Sequence, residues 1–223
     1  MKKLMVLALA LGAVAACNKD TKKSAPAKQA QPAGQDQPAA PADPKPVTPP
    51  TATTGAPAGN YEVDAAHSAL IWRAKHFGAG YTYGWFRDFG GKFVIDPDAS
   101  KQSIELTAQV GSIDSRDAKR DDHLKSPDFF NAAQFPTMTF KSTKVEPAGS
   151  GFKVTGDLTI HGVTKSITAD VVAVGNGVDP WKNVRAGFET KLTIDRMAYG
   201  VAFMPEGVST DIDLTIAFEG VKK

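Results

Sequence analysis

Apolar and polar residues alternate with a period of two along most of the C-terminal three-quarters of the chain. Leu70, Trp72, Ala74 and His76 share one face, against Arg73 and Lys75 on the other. Ile104, Leu106, Ala108 and Val110 alternate with Glu105, Thr107 and Gln109. Met138 and Phe140 alternate with Thr137, Thr139 and Lys141, and Phe152, Val154, Gly156, Leu158 and Ile160 with Lys153, Thr155, Asp157 and Thr159. The same spacing links Ile167, Ala169, Val171 and Ala173, then Val184, Ala186, Phe188, Thr190, Leu192 and Ile194, then Ile212, Leu214, Ile216 and Phe218. Successive side chains of a strand point to opposite faces, so this pattern predicts antiparallel strands with one buried face. Turn residues punctuate them at Asp96-Pro97-Asp98, Glu146-Pro147-Ala148-Gly149, His161-Gly162 and Gly175-Asn176-Gly177.

One stretch, Asp117 to Phe130, reads as helical. Asp114 or Ser115 is expected to cap its start, and Ser126 before Pro127 reads as a second N-cap with proline at the first helical position. The domain is therefore all-β with a short helical insertion. Long, regular strands suit a closed up-and-down barrel, which removes sheet edges, although a β-sandwich shares the alternation. Small residues on the apolar face (Ala74, Ala108, Gly156, Ala169, Ala173 and Ala186) leave either a cavity or gaps filled from the opposite wall. Gly78, Gly80 and Gly84 interleave with Tyr81, Tyr83 and Trp85, which reads as a strand bend or a loop with exposed aromatics.

Composition changes this picture at the N-terminus. Lys2 and Lys3 precede an apolar run from Leu4 to Ala16, too short to span a bilayer as a helix needing about 20 residues. The run ends Val14-Ala15-Ala16-Cys17, which resembles a bacterial lipobox. Lipidation at Cys17, the chain's one cysteine, is expected, and two or more acyl chains give stable anchoring. Residues 18–59 hold 9 of the 15 prolines and no aromatic, Ile, Leu or Met. Such a stretch buries too little apolar area to offset its ordering entropy, so it is expected to be a disordered, semi-extended Pro/Ala tether. Residues 60–223, which hold all 19 aromatics, form one domain.

Charge excludes more than it suggests. The domain carries 19 basic and 21 acidic residues, which argues against nucleic acid as a partner. A single cysteine leaves no disulfide framework and no multi-thiolate metal site. His67, His76, His123 and His161 show no i, i+2 or i, i+4 pairing of the kind that builds a zinc site. Asp122, His123 and a serine such as Ser68 or Ser112 have the chemistry of a triad, but no Gly-x-Ser-x-Gly elbow accompanies them. No metal and no catalytic residue is assigned.

Several motifs together resemble the YceI-like, polyisoprenoid-binding family. They include Tyr61-Glu62-Val63-Asp64, His67-Ser68 and Gly84-Trp85-Phe86-Arg87-Asp88-Phe89. The most specific are Ser112-Ile113-Asp114-Ser115, Arg120-Asp121-Asp122-His123-Leu124-Lys125-Ser126 and Asp128-Phe129-Phe130. Phe135-Pro136, Gly156-Asp157-Leu158-Thr159-Ile160, Gly162-Val163-Thr164-Lys165 and Asp179-Pro180-Trp181 follow in order, so the resemblance covers residues 60–223. It implies a lipocalin-like, eight-stranded antiparallel barrel, without enzymatic activity, whose lumen holds a long-chain amphiphile such as a polyisoprenoid, an isoprenoid quinone or a fatty-acid derivative.

On that reading the ligand is lined by Leu70, Trp72, Ala74, Phe86, Phe93, Ile104, Leu106, Ala108, Met138, Phe140, Val154, Leu158, Ile160, Ile167, Ala169, Val171, Phe188, Leu192, Leu214 and Ile216. Head-group contacts are sought at His67, Ser68, His76, Arg120 and His123, while Asp121 and His123 have the competing role of pinning the insertion to the barrel. No cofactor is expected beyond the bound lipid. The expected partners are that lipid and, through Cys17, a membrane on the periplasmic side of a bacterial envelope. Asn18 after the cysteine favours the outer membrane. A homodimer joining two barrel mouths is compatible with the sequence, which does not demand it. Two other functions compete: a lipoprotein with a filled barrel and an external binding patch, and an envelope hydrolase or metal enzyme acting on a lipid headgroup.

Overall fold

The computed structural model describes residues 55–223. The expected export segment, Cys17 and most of the expected tether lie outside them. Eleven strands follow in chain order: β1 (Gly59–Val63), β2 (Ala69–His76), β3 (Gly80–Phe86), β4 (Phe89–Ile95), β5 (Ser103–Gln109), β6 (Ile113–Asp114), β7 (Thr137–Ala148), β8 (Gly151–Ile160), β9 (Val163–Val178), β10 (Val184–Asp195) and β11 (Val208–Lys222). One helix, α1 (Ala118–Lys125), lies between β6 and β7.

All eleven join one antiparallel sheet that closes through β1 and β11. Three pairs of short strands act as single bent staves. Along β11, Lys222 to Gly220 pair with Tyr61 to Val63 of β1, and Ala217 to Ile212 pair with Ala69 to Ala74 of β2. β4 pairs with β1 where β3 pairs with β2, and β5 and β6 continue the series. The result is an eight-stave up-and-down barrel in which each stave bonds to the next in sequence. Closure decides between the two all-β readings, since a sandwich would leave two sheets with free edges.

Backbone geometry explains the bends. Asp64 caps a 3-10 turn, Ala65–His67, by accepting from Ala66 N at 3.0 Å. A second 3-10 turn, Val110–Ser112, separates β5 from β6. Ser112 ties it to the neighbouring bend, accepting from Arg87 N at 3.1 Å and, through Oγ, from Asp88 N at 2.9 Å. Breaks on adjacent staves thus satisfy one another's backbone groups, as buried polar backbone requires.

Three sequence expectations are corrected. The helix is shorter than predicted: Asp117, not Asp114 or Ser115, is the N-cap, accepting from Arg120 N at 3.0 Å, and the helix stops at Lys125. Ser126 adopts φ −72°, ψ 171°, because a residue before proline is driven out of the helical region, so Ser126-Pro127 ends a helix and begins none. Gly175-Asn176-Gly177 is no turn. β9 runs through it, paired with Gly187 to Arg185, and the chain reverses at residues 179–183. There Asp179 accepts from the backbone N–H of Trp181 and Asn183 at 2.9 and 2.8 Å, an Asx-type nucleus stronger than glycine alone. Of the two readings of the glycine–tyrosine stretch, the strand holds: residues 80–86 form one, with Tyr81 and Tyr83 half exposed on its outer face. His161 and Gly162 do form a two-residue turn, both with positive φ (51° and 74°), as a type I′ hairpin needs.

Candidate functional site

The inward face of the staves encloses a cavity of about 160 Å³. Tight interiors leave few voids larger than a water, so a space this size is a feature of the design. Its wall is built from the residues that alternate along β2, β5, β7, β8, β9, β10 and β11, among them Leu70, Ala74, Leu106, Phe140, Ile167 and Leu214. Of the side chains expected to line a ligand, Trp72, Phe86, Ile104, Ala108, Met138, Val154, Leu158, Ile160, Ala169, Val171, Leu192 and Ile216 also face it.

Phe93 and Phe188 do not. They belong to an aromatic floor. Phe93 stacks on Tyr61 with ring centroids 4.9 Å apart and meets Phe188 and Phe218 edge-on at 5.4 and 5.6 Å. Phe152 adds a fifth ring, 6.0 Å from Phe188. Phe93 packs onto Gly220, where a Cβ would lie 2.4 Å from its ring. Burying each such ring contributes roughly 1.5–3 kcal/mol, and aromatic pairs add about 0.5–1.5 kcal/mol. Alternation cannot tell a residue at a closed end from one at mid-barrel, because both point inward.

The other end is covered by parts that the strand pattern did not reveal. Leu124 of α1, Phe129 and Phe130 beyond it, and Tyr199 and Val201 after β10 complete the cavity. Phe130 meets Phe86 edge-on at 5.7 Å, tying the cover to the wall. Arg196 also borders the cavity. It is 5% exposed and donates from Nε, NH1 and NH2 to the carbonyls of Ser209, Val201 and Val208. Burial lowers the pKa of its guanidinium and raises that of the Tyr199 phenol. Arg196 staples the loop between β10 and β11, a role hidden in sequence because charged residues seldom sit inside.

The expected head-group residues lie elsewhere. His67 is exposed on the outer surface, with Nδ1 2.9 Å from Asp64 Oδ2. Ser68 Oγ donates to Asp64 O at 2.7 Å and accepts from Glu219 N at 3.1 Å, pinning the bend between β1 and β2. His76 is exposed at the end of β2, edge-on to Phe77. Arg120 donates to Ser115 Oγ and O at 2.8 and 2.6 Å, and Asp121 accepts from Ser115 N at 2.8 Å, so both fasten the cover. His123 Nε2 lies 2.9 Å from Asp128 Oδ2, and its ring packs against Phe129 and Phe203 at 5.1 Å. These residues do not converge on the cavity.

At the floor end, Asp64, His67 and Glu219 place three potential ligand atoms within 4.8 Å of one another. A cation already serves this cluster. Arg185 NH1 donates to Asp64 at 2.8 Å and Glu219 at 2.6 Å, and its Nε donates to Asp179 at 2.8 Å. Hydrogen bonds from Arg185 and then His67 hold Asp64 down to about 2. Burial pushes Asp179 up, but its bonds from Arg185, Asn183 and Trp181 outweigh this and bring it to about 2.

Comparison with known proteins agrees with this architecture. A family model described as the YceI-like domain matches residues 61–220. Protein YceI of Escherichia coli is 39% identical over 173 residues, covering 75% of this chain and 90% of the relative. Among solved structures, Burkholderia cenocepacia BcnA superposes with a TM-score of 0.64 at 29% identity, covering 70% of this chain and 98% of its own. A polyisoprenoid binding domain from Saccharophagus degradans, implicated in plant cell wall breakdown, gives a TM-score of 0.57 at 16% identity and covers 73% of this chain and 98% of its own. At that identity the likeness is one of fold.

Proposed function

The chain belongs to the YceI-like family, and from that premise we propose that it binds a long-chain amphiphile in its barrel, as carrier, store or sensor, while tethered to a membrane through lipid at Cys17. A polyisoprenoid, an isoprenoid quinone or a fatty-acid derivative fits the chemistry. The cavity carries this reading: a wall of aliphatic and aromatic side chains is closed below by stacked rings and covered above by an apolar segment. Apolar burial is worth roughly 25 cal/mol per Å², so a long chain gains several kcal/mol there without any polar anchor. The polar candidates support binding over turnover. His67 and His123 are each bonded to a carboxylate and not to a hydroxyl, and Ser68 is engaged with backbone. The lipobox-like run before Cys17 supports anchoring, and Asn18 supports the outer membrane.

Native mass spectrometry of the purified full chain tests this, with an organic extract of the same sample identified by mass. A stoichiometric adduct that releases a prenyl or acyl compound is the expected result. A bare mass that stays unchanged after incubation with prenyl quinones and fatty amides would overturn it.

A further inference from the structure

Among the described residues, two buried side-chain nitrogens lack a hydrogen-bond partner: Trp72 Nε1 and His161 Nε2. His161 packs on Phe135 outside the cavity wall, whereas Trp72 is part of that wall. Of the other polar side chains bordering the cavity, Thr190 Oγ1 donates to Asp170 O at 2.8 Å and Arg196 serves three carbonyls, while Thr139 and Tyr199 also border it. Buried donors in native proteins are paired almost without exception, since an unpaired one costs about 1–3 kcal/mol. A phenylalanine would fill this site without that penalty. The Trp72 indole N–H, part of this wall, is thus a donor without a partner within the protein.

Position supports the same reading. Trp72 pairs with Gly84 across β2 and β3, and its ring lies over that glycine: a Cβ there would be 2.2 Å from Cζ2 and 2.7 Å from Nε1. Gly84 thus seats the indole on the inner surface of the barrel. Trp72 lies four residues from His76, about 13 Å below the covered end of β2 at the usual strand rise. The floor rings lie farther down.

Resting on the binding reading above, we propose that Trp72 Nε1 is the polar anchor of the site and that the ligand is an amphiphile with a carbonyl oxygen, such as a quinone, amide or ester, which accepts from this N–H at mid-barrel. A small turn of the indole off Gly84 presents the donor to the cavity. The polar head then lies inside the barrel rather than at its rim, which accounts for the absence of His67, His76 and His123 from the cavity.

The test uses two probes of equal length that differ by one acceptor, methyl hexadecyl ketone and octadecane, titrated into the full chain and its Trp72→Phe variant. The ratio of ketone to alkane affinity in the wild type, divided by that in the variant, is expected to be about three to ten, the worth of one buried hydrogen bond. A quotient of one overturns the anchor. Independently of any variant, the Trp72 indole N–H resonance is expected to move downfield with ketone and to stay nearer its free position with alkane; a resonance indifferent to the ketone also overturns it. Binding of both probes with no discrimination leaves the lipid-holding reading intact and removes this one. Failure of the wild type to bind either probe removes both.

Discussion

Gly84 and Trp72 show how a single missing methyl group shapes the cavity. The indole occupies the volume that any side chain at residue 84 would need. Gly84→Ala forces the ring toward the cavity centre, so we expect a loss of about 1–3 kcal/mol, read as a lower melting temperature. The same displaced ring should reduce ligand uptake in a native mass spectrum. Arg185 makes the complementary point for charge. Asp64 and Asp179, both near 2 in the folded chain, titrate near 4 when unfolded. Lowered carboxylate pKa values stabilise the fold above about pH 4, and that contribution disappears as pH falls through about 2. Melting temperature is therefore expected to drop steeply between those limits. Arg185→Gln should melt lower at neutral pH and lose less across the acid window, because its carboxylates are no longer favoured in the charged form. Equal acid slopes in the two proteins would show that the cluster does not govern acid stability.

Elements divide into those that fold by pattern and those held by specific bonds. The staves form because alternation gives each one apolar face, and closure buries all of those faces at once. α1 has no such face: it is eight residues long, polar, and has no buried residue. Isolated helices of that length are unstable in water. Its place over the cavity depends on the Asp117 cap and on Ser115, which Asp121 and Arg120 grip together. Ser115→Ala removes the bond that Ser115 Oγ accepts from Arg120 Nε and the one it donates to Asp121 Oδ1, each worth about 1 kcal/mol. Amide hydrogen exchange in residues 116–126 should accelerate while the exchange of β7 to β11 stays the same. Uniform acceleration throughout the barrel would mean that the cover and the staves unfold as one unit. The strand pattern of this family-like chain was legible; the helix was legible only as a position, because its start and stop depend on capping and on Pro127.

At the scale of the molecule, the proposed attachment is separable from the barrel. The chain enters the barrel at Gly59, which pairs with Ile95 beside the aromatic floor, at the end opposite the cover. On the proposed tethering, the forty-odd residues between Cys17 and this point would reach at most on the order of 130 Å, at about 3.1 Å each. Such a reach would let the covered end face either away from a membrane holding Cys17 or back toward it. Cys17→Ser should move the protein from the membrane pellet to the soluble fraction without changing its melting temperature. Retention in the pellet would mean that another surface holds it there.

The sequence alone determined the all-β class, the inward face of most staves, the helical insertion and the family resemblance, because two-residue alternation and turn chemistry are local and survive in a linear record. It also carried the residues of the cavity wall, since pointing inward is decided by parity along a strand. Only the tertiary structure decided what inward meant at each level. Phe93 and Phe188 plug the floor because five rings from distant staves meet there. The Trp72 indole fits over the barrel wall because its cross-strand partner is a glycine. Ser68 became a fastener because Glu219, 151 residues away, stands within bonding distance once the barrel closes. Such roles depend on distances between residues far apart in the chain, and those distances exist only after the eighth stave has met the first.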